Sequence, residues 1–432
     1  MQEAKKKVAF RTLGCRLNQY ETDALASAFD KAGYAIVEME EQADVTIINT
    51  CTVTNQSDRK SRQAMNQALR VNQEGQGLVI MTGCSVNNHK EALSMTSGVQ
   101  YFVENEQKSH ILSIVDAHFR GEILDPSTLP EDLFGYAPAQ RTFHTRSIIK
   151  IQDGCDNFCT FCIIPMVRGR AASRPVKEIL ENIRQVVEFG YKEVVLTGVN
   201  IGRYDFEGKN FDDLIEQILA LPGDFRVRIS SIEPDGFGDK LFHLFEHPKL
   251  CTHMHLCLQS GSERILLAMR RMYTARRFRE IAEKIRKITP DFNFTTDIIV
   301  GFPGETEADF RETLELSREM QFSHIHTFKY SRRKGTRADR LGEQVPEAVK
   351  NERSERIRLL SEENKRAYRS AMIGKEQRVI IEKVEQGMAS GYGEHYIPIL
   401  FPAGALQWND WARVKLNSLQ EGEDLMLEGA RV

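Results

Sequence analysis

The stretch QDGCDNFCTFCIIP, residues 152–165, decides the fold of the middle of this chain. It places Cys155, Cys159 and Cys162 on one short loop, directly after an apolar strand pattern at residues 148–151. Three thiolates on one loop suit a [4Fe–4S] cluster, and because such a cluster normally takes four cysteines, one iron would stay open. A zinc site more often uses Cys-x-x-Cys pairs with a fourth ligand nearby. Zinc, or three cysteines that are close by chance, stay open as alternatives.

The amino-terminal segment repeats one unit three times: an apolar strand pattern, a cysteine and a helical pattern. The strand patterns VAFRTL, VTII and LVIM end beside Cys15, Cys51 and Cys84. Short apolar runs that alternate with helices predict a parallel α/β sheet. The carboxyl ends of parallel strands meet at one edge, where ligands bind. We therefore expect the three cysteines to converge beside helix amino termini, which favour thiolates; a lone cysteine is more often a buried small hydrophobe.

The rest of the chain divides by pattern into a linker, an open barrel and a small β-barrel. Residues 116–143 lose periodicity and contain three prolines, which predicts a linker. Six strand patterns then alternate with helices, which predicts an open barrel related to the (β/α) barrels, with its chemistry at the strand carboxyl ends. A charged helix at about residues 346–369 precedes short β runs, which predict an all-β barrel. The six strand patterns lie at residues 148–151, 193–196, 226–230, 253–258, 292–300 and 324–329.

Composition excludes several classes of protein. With 41% hydrophobic and 28% charged residues among 432, the chain can bury a core and is not disordered. It has no apolar run of about 18–20 residues and no signal-peptide pattern, so we expect a cytoplasmic protein without a membrane segment. Disulfides are rare in the reducing cytoplasm, so the eight cysteines indicate metal binding or catalysis instead. The net charge of −3 argues against an indiscriminate nucleic-acid binder.

Longer motifs identify a family resemblance. The spacing Cys-x3-Cys-x2-Cys, on a loop after the first strand of a six-stranded α/β barrel, resembles the radical S-adenosylmethionine (SAM) superfamily. TLGCRLNQYET at residues 12–22, INTCTVTNQSDRKSR at 48–62 and MTGC at 81–84 resemble the methylthiotransferase family, a resemblance that covers about residues 8–385. The tail resembles a TRAM domain, a small RNA-binding β-barrel, although it is acidic.

The resemblance implies two [4Fe–4S] clusters and SAM as cofactors. Cys155, Cys159 and Cys162 would bind the cluster whose open iron chelates SAM, and reductive cleavage would yield a 5′-deoxyadenosyl radical. The triad Cys15, Cys51 and Cys84 would bind an auxiliary cluster that supplies sulfur, which a first SAM methylates. The implied partners are the anticodon arm of tRNA, a low-potential, flavodoxin-like electron donor and a sulfur donor of unknown identity.

Polar residues at the ends of the barrel strands are the candidates for SAM binding. The segment at residues 197–200 occupies the place of the family motif that contacts the SAM amino group. Residues after later strands would touch ribose or methionine, and two more would contact adenine; packing or turn geometry is the alternative for each. These candidates are Thr197, Gly198, Asn200, Ser230, Glu233, Gln259, Val300 and Phe328.

Basic residues suggest where RNA binds. Arg332, Arg333 and Lys334 lie beside aromatic residues, and we expect them to grip phosphate. A second run, at residues 263–287, holds nine Lys and Arg and has a solvated helix face as its alternative.

The motifs around Cys15 and Cys51 resemble the branch that acts on N6-threonylcarbamoyladenosine just 3′ of the anticodon. Four cations near these cysteines suit the carboxylate of that nucleoside; they are Arg16, Arg59, Lys60 and Arg62. The family alternatives are isopentenyladenosine in tRNA and an aspartate of a ribosomal protein.

We thus expect three domains: an amino-terminal methylthiotransferase domain at residues 1–135, a radical SAM domain at 145–370 and a TRAM-like β-barrel at 371–432. Two rivals predict different metal contents. A radical SAM enzyme acting on a small molecule needs no auxiliary cluster. An RNA-binding protein with a structural metal would hold zinc, or a fully ligated cluster that ignores SAM.

Overall fold

A computed structural model describes residues 5–72, 77–95, 97–140, 144–422 and 425–432. The chain divides into two compact units. One comprises Met1–Phe189, Thr197–Val199 and Ser331–Asp339; the other comprises Gly190–Leu196, Asn200–Tyr330 and Arg340–Val432. None of the helices formed by the described residues is both long enough and apolar enough to cross a bilayer.

The first unit contains a five-stranded parallel sheet. Its strands are β1 (Lys7–Thr12), β2 (Ala35–Val37), β3 (Val45–Thr50), β4 (Leu78–Gly83) and β5 (Tyr101–Val103). The helices that alternate with them are α1 (Arg16–Lys31), α2 (Asn55–Val71), α3 (Cys84–Ser94) and α4 (Ile111–Phe119). The strand order is β2-β1-β3-β4-β5, and every pairing is parallel. The predicted parallel α/β sheet is confirmed.

Local sequence explains where these elements form. Every residue of β3 and β4 is buried, because both strands lie inside the sheet and are covered on both faces. Helix α2 begins where the Thr54 side chain accepts a hydrogen bond from the Ser57 N–H. Its buried residues recur with helical spacing and pack against the sheet; they are Asp58, Ser61, Ala64, Met65 and Ala68.

The first unit continues past an irregular segment into the cysteine loop. Between residues 120 and 140 the chain forms only a 3₁₀ turn at Pro126–Thr128, and residues 141–143 of the predicted linker lie outside the described residues. The next elements are β6 (Ser147–Lys150), β7 (Gln152–Asp153), α5 (Ile164–Val167), β8 (Ala172–Ser173) and α6 (Val176–Glu188).

The second unit contains the remaining strands of the predicted open barrel. Its strands are β9 (Glu193–Thr197, the last residue belonging to the first unit), β10 (Asp205–Phe206), β11 (Lys209–Asn210), β12 (Arg226–Ile229), β13 (Ser231–Ile232), β14 (His253–Leu256), β15 (Asn293–Val300) and β16 (His324–Lys329). Its helices are α7 (Phe211–Leu219), α8 (Lys240–Leu244), α9 (Glu263–Ala268), α10 (Ala275–Ile288), α11 (Glu307–Met320) and α12 (Glu347–Ala371). Strands β9 and β12 pair in parallel, and β13-β14-β15-β16 form a four-stranded parallel sheet.

The second unit ends in a closed barrel, as the sequence predicts. Its strands are β17 (Glu376–Glu385), β18 (Met388–Tyr392), β19 (Pro398–Pro402), β20 (Trp411–Leu419) and β21 (Leu427–Arg431), in the order β17-β18-β19-β21-β20. Alternate residues of β20 face the core, so Ala412, Val414 and Leu416 are buried while Arg413 and Lys415 are exposed. Residues 423–424 of the predicted last run lie outside the described residues.

Buried arginines fasten this closed barrel to the parallel strands of the second unit. Arg226 and Arg228, on β12, share the carboxylate of Glu193, at 2.6 and 2.8 Å. The Arg226 guanidinium also donates to the Tyr392 carbonyl at 2.8 Å, and that of Arg228 donates to the Gly393 carbonyl at 3.1 Å. Glu193 fixes both guanidiniums, because breaking either pair would leave a buried charge without a partner. The guanidiniums in turn hold the closed barrel by its backbone carbonyls.

His395, a partly buried histidine of the closed barrel, makes the free energy of unfolding of the second unit depend on pH. Burial lowers the pKa of His395 to about 4, so the unfolded chain binds its proton more readily than the folded chain. The free energy of unfolding is therefore unaffected by this group above about pH 6.5. It falls as the pH drops towards 4, and His395 accounts for at most about 3 kcal/mol of that loss. We predict that His395→Gln weakens the loss of stability between pH 7 and 4.5, measured by urea unfolding.

The matched control is His243→Gln on α8, because the His243 side chain is 72% exposed. This variant should keep the wild-type pH dependence. A His395→Gln protein that loses as much stability in acid as the wild type would contradict the assignment.

Candidate active site

Three cysteines of the first unit lie at the carboxyl ends of adjacent strands. Cys15 precedes α1, Cys51 directly follows β3, and Cys84 directly follows β4 as the first residue of α3. Because β1, β3 and β4 are neighbours in the sheet, the three residues meet at one edge, as predicted. Cys51 and Cys84 are buried, and Cys15 is at the surface.

Two glycines allow the chain to turn into this edge. Gly14 has φ +96°, and a Cβ there would stand 2.9 Å from the Sγ of Cys51. Gly83 has φ +97°, and a Cβ there would stand 2.5 Å from the Thr50 carbonyl oxygen. Both positions therefore require glycine, for backbone conformation and for space. The two Gly-Cys pairs bring the thiols close to a neighbouring strand.

The thiols influence one another electrostatically. Burial raises the pKa of Cys51, and the thiols of Cys84 and Cys15 raise it further. The surrounding protein also raises the pKa of Cys15, although this residue reaches the surface; the Arg168 guanidinium acts in the opposite direction. A metal bound at this edge would replace the thiol protons, because the thiolate is the form of cysteine that binds metal.

The second set of cysteines lies on a loop that is tied at its base. Strands β7 and β8 pair in antiparallel fashion, and the Cys155 N–H donates to the Gly169 carbonyl at 3.2 Å. Within the loop, the Cys162 N–H donates to the Cys159 carbonyl at 3.0 Å. A Cβ at Gly154 would stand 1.9 Å from the Arg170 carbonyl oxygen, so only glycine fits before Cys155.

The two sets of cysteines belong to the same compact unit, and one cysteine of the first set packs against residues that follow the second set. Cys84 packs against Ile163, which directly follows Cys162, and against Val167 on α5. The Asn105 amide nitrogen stands 3.8 Å from the Cys84 Sγ and donates to the Val167 carbonyl at 2.8 Å. The sequence predicts convergence within each set, but it gives no sign of this contact between them.

The donor set suits iron–sulfur clusters. Each site offers three thiols, and among the described residues no histidine or carboxylate completes a tetrahedral set of the zinc type. Soft thiolates select Fe–S clusters, and three of them leave one iron free for another ligand. Cys15, Cys51 and Cys84 would hold one cluster, and Cys155, Cys159 and Cys162 the other.

The predicted SAM contacts divide between the units. In the first unit, the Thr197 carbonyl accepts from Ile151 N–H at 2.9 Å. The Val199 N–H donates to the Gln152 side chain at 2.9 Å, so this segment, with Gly198, is fixed beside the strand that leads into the cysteine loop.

In the second unit the candidates stand at the carboxyl ends of parallel strands. Asn200 and Ser230 are buried, Glu233 pairs with Arg271 at 2.8 Å, and Phe328 is 45% exposed. Gln259 has φ +65° and bridges to β15 through its backbone.

Val300 is the last residue of β15. Its side chain is fully buried, and its carbonyl accepts a hydrogen bond from the Tyr330 N–H at 2.9 Å. Its contact with adenine stays a prediction.

The predicted RNA contacts need one correction. Arg333 is buried: its guanidinium donates to Asp58 at 2.7 Å and to Thr52 at 2.8 Å, all within the first unit. This side chain holds the start of α2 and cannot grip phosphate without stranding Asp58. Arg332 and Lys334 are exposed, and Arg332 pairs with Asp339 at 2.6 Å.

Sequence reasoning missed two groups of side chains. In the first unit, five buried ionic groups lie between the cysteine sets: Glu21, Lys108, Lys150, Asp153 and Arg168. In the second unit, the ligand atoms of His255, Cys257 and Asp297 lie within 4.8 Å of one another, with 3.1 Å between His255 and Asp297. The alternation on β14 already placed His255 and Cys257 on one face, but the sequence could not show that Asp297 faces them.

Two family models match the chain. The model described as the radical SAM superfamily matches residues 149–317, and the model described as uncharacterized protein family UPF0004 matches residues 7–104. The first match includes the cysteine loop, and the second includes all three amino-terminal cysteines.

Characterised relatives cover nearly the whole chain. A protein of Bacillus subtilis named threonylcarbamoyladenosine tRNA methylthiotransferase MtaB is 40% identical over 91% of this chain and 90% of its own length. A protein of the same name from Thermotoga maritima is 37% identical over 96% and 95%. A tRNA-2-methylthio-N(6)-dimethylallyladenosine synthase of Cereibacter sphaeroides is 33% identical over 97% of both chains.

A solved structure supports the fold. The radical SAM methyltransferase TsrM of Kitasatospora setae, with cobalamin and a [4Fe–4S] cluster bound, superposes with a TM-score of 0.56 at 13% identity. The superposition covers 90% of this chain and 77% of that one.

The cysteine sets predict the iron content. After anaerobic reconstitution, the wild-type chain should bind about eight iron atoms, and replacing either set of three cysteines with alanine should leave about four. Replacing Cys251, whose pKa burial raises to about 11 and which lies in neither set, should leave the iron content unchanged. A folded triple variant that keeps all its iron, or loses all of it, would contradict two independent sites.

Proposed function

The chain belongs to the radical SAM methylthiotransferase family, and we propose that it adds a methylthio group to C2 of N6-threonylcarbamoyladenosine, just 3′ of the anticodon in tRNA. The observation that carries this proposal is the 40% identity to the Bacillus subtilis protein over 91% of the chain, with all six cysteines inside the matched family models. The enzyme uses SAM and [4Fe–4S] clusters, as its family does.

The residues of the two sites divide the work. Cys155, Cys159 and Cys162 would hold the cluster that binds SAM, and Cys15, Cys51 and Cys84 the auxiliary cluster. When bound, these groups supply one-electron chemistry, a methyl group and sulfur, which no side chain can supply. The chain itself provides the thiolates and fixes their spacing, with Cys51 and Cys84 buried and Cys15 at the surface. We also propose that Thr197, Gly198, Asn200, Ser230, Glu233, Gln259 and Phe328 line the SAM site.

Charge near the auxiliary site supports the choice of nucleoside. The threonylcarbamoyl group carries a carboxylate, which needs a cation or hydrogen-bond donors. Arg59, Lys60 and Arg62 lie exposed on α2, which begins four residues after Cys51, and Arg16 opens α1. An isopentenyl group is apolar and would bind in an apolar pocket instead.

The isopentenyl nucleoside is the second candidate, and the Cereibacter sphaeroides relative is the observation that favours it. Its identity of 33% is lower than the 40% of the Bacillus subtilis relative over similar coverage. The identities therefore rank the threonylcarbamoyl nucleoside first.

The domain boundaries, the electron donor and the cellular location are inferred from the family. We propose the three domains at residues 1–135, 145–370 and 371–432, with the closed barrel as a TRAM domain. A flavodoxin-like electron donor and a cytoplasmic location fit an enzyme that reduces SAM and modifies tRNA. Arg332 and Lys334 are the proposed phosphate contacts, because both are exposed and clustered.

Substrate choice is directly testable. We predict that the purified, reconstituted enzyme, given SAM and a reductant, methylthiolates tRNA that carries threonylcarbamoyladenosine and leaves tRNA that carries isopentenyladenosine unchanged. Mass spectrometry of the digested nucleosides measures both products. Unmodified transcript of the same tRNA is the control. Turnover of the isopentenylated tRNA alone would overturn the nucleoside assignment while leaving the reaction class intact.

The RNA contacts are testable by salt dependence. Each lost phosphate contact lowers the slope of log affinity against log salt by roughly 0.7–0.9. We therefore predict that replacing Arg332 and Lys334 with alanine weakens tRNA binding and flattens this slope, without stopping SAM cleavage in the absence of tRNA. The control is Arg184→Ala, an exposed arginine on α6 in the same unit, which should leave the slope unchanged. A double variant with the wild-type slope would remove these residues from the RNA contact.

A further inference from the structure

Five charged side chains lie buried together in the first unit, and the proposed chemistry does not use them. We call them the buried charge network; they are Glu21, Lys108, Lys150, Asp153 and Arg168. None of these side chains is more than 1% exposed. Removing an ion from water costs several kcal/mol, so such a group persists only where each charge is well paired.

Arg168 is the centre of the network. Its Nη1 donates to the Glu21 carboxylate at 3.0 Å and to the Asp153 carboxylate at 2.9 Å. Its Nη2 donates to the Asn18 side-chain oxygen at 2.6 Å. A planar guanidinium with several fixed donors can hold three partners in this way, whereas an ammonium cannot hold them in one plane.

The two lysines complete the pairing. Lys150 Nζ stands 3.1 Å from the Glu21 carboxylate and 2.5 Å from that of Asp153. Lys108 pairs with Glu21 and donates to the Asn49 side-chain oxygen at 3.1 Å. Each carboxylate therefore has at least two cationic partners.

The partners of Arg168 reach both sets of cysteines. Glu21 and Asn18 lie on α1, which begins beside Cys15, and the Asn18 side chain donates to the Thr50 carbonyl, next to Cys51, at 3.0 Å. On the other side, Asp153 stands two residues before Cys155, and Arg168 follows α5 at the far end of the same loop. The Arg168–Asp153 pair thus closes the loop, while the Arg168–Glu21 pair joins it to α1.

The network also carries an excess of positive charge. Its three cations face two carboxylates, which leaves one positive charge beside the amino-terminal thiols. The same charge stabilises any anionic group held by these cysteines.

We propose that the buried charge network, with Arg168 as its positioning residue, fixes the amino-terminal cysteine set against the cysteine loop so that sulfur transfer stays coupled to SAM cleavage. This inference rests on the proposed function, because it assumes that the two sets serve one reaction. The contact of Cys84 with Ile163 and Val167 shows that the two sets meet at a packed surface. Apolar side chains could stabilise this surface equally well, but they would not specify one arrangement as directed ion pairs do.

The test compares Arg168→Lys with a control in the anaerobically reconstituted full chain. Lysine keeps the positive charge but loses the fork that joins Glu21, Asp153 and Asn18. The control is Glu193→Gln, which disturbs a buried ion pair of the second unit, whereas all six cysteines proposed as ligands belong to the first unit. Three readouts are taken: iron content, methylthiolated nucleoside formed per 5′-deoxyadenosine, and the magnetic interaction between the two reduced clusters in electron paramagnetic resonance.

We expect Arg168→Lys to keep its iron and to continue to cleave SAM. Product per SAM cleaved should fall by about 10–100-fold, since a displacement of about 1 Å can cost that much. The magnetic interaction between the clusters should change. Glu193→Gln should keep the wild-type ratio and the wild-type magnetic interaction.

The proposal is overturned if Arg168→Lys keeps the wild-type ratio and spectrum, or if Glu193→Gln changes both equally. Where Arg168→Lys does not fold, Glu21→Gln is judged by the same readouts; if neither variant binds iron, the network serves folding alone and the proposal is wrong. A wild-type enzyme that cleaves SAM without modifying tRNA would instead refute the proposed function, and the spectral comparison would still decide the role of Arg168.

Discussion

One buried guanidinium, that of Arg168, cannot be left without partners, and much of the first unit is arranged around that constraint. It bonds a carboxylate from α1 and a carboxylate from β7, so two segments that are distant in the sequence are held together. One segment begins directly after Cys15, and the other leads into the loop that holds Cys155, Cys159 and Cys162. Because leaving these charges unpaired would be costly, the pairing favours one arrangement of the two segments.

The parallel sheet brings the three amino-terminal cysteines together. Because the paired strands β1, β3 and β4 end at the same edge, three cysteines separated by more than thirty residues each come together. Gly14 and Gly83 make the close approach possible by adopting positive φ where a side chain would collide. The cysteine loop reaches the same result differently, through a short antiparallel pair and an ion pair at its base.

The sequence predicts the regular elements well and the long-range contacts poorly. The charged helix predicted at about residues 346–369 is found at Glu347–Ala371, because a helical pattern is a local signal. The same holds for the six cysteines, whose spacing is itself the signal. Lys150 ends an apolar strand, and the neighbouring sequence does not indicate that it forms ion pairs with Glu21 and Asp153. Arg333 was misassigned for the same reason: its partner, Asp58, is 275 residues away.

We propose above all that this chain installs the methylthio group on threonylcarbamoyladenosine in tRNA. The most direct measurement is mass spectrometry of tRNA nucleosides from cells with the protein, without it, and without it but supplied with a variant lacking Cys155, Cys159 and Cys162. The account predicts that the methylthiolated form of threonylcarbamoyladenosine disappears in the second and third cultures while its unmethylthiolated precursor accumulates, and that methylthiolated isopentenyladenosine does not change. Undiminished methylthiolated threonylcarbamoyladenosine in cells that lack the protein would contradict it.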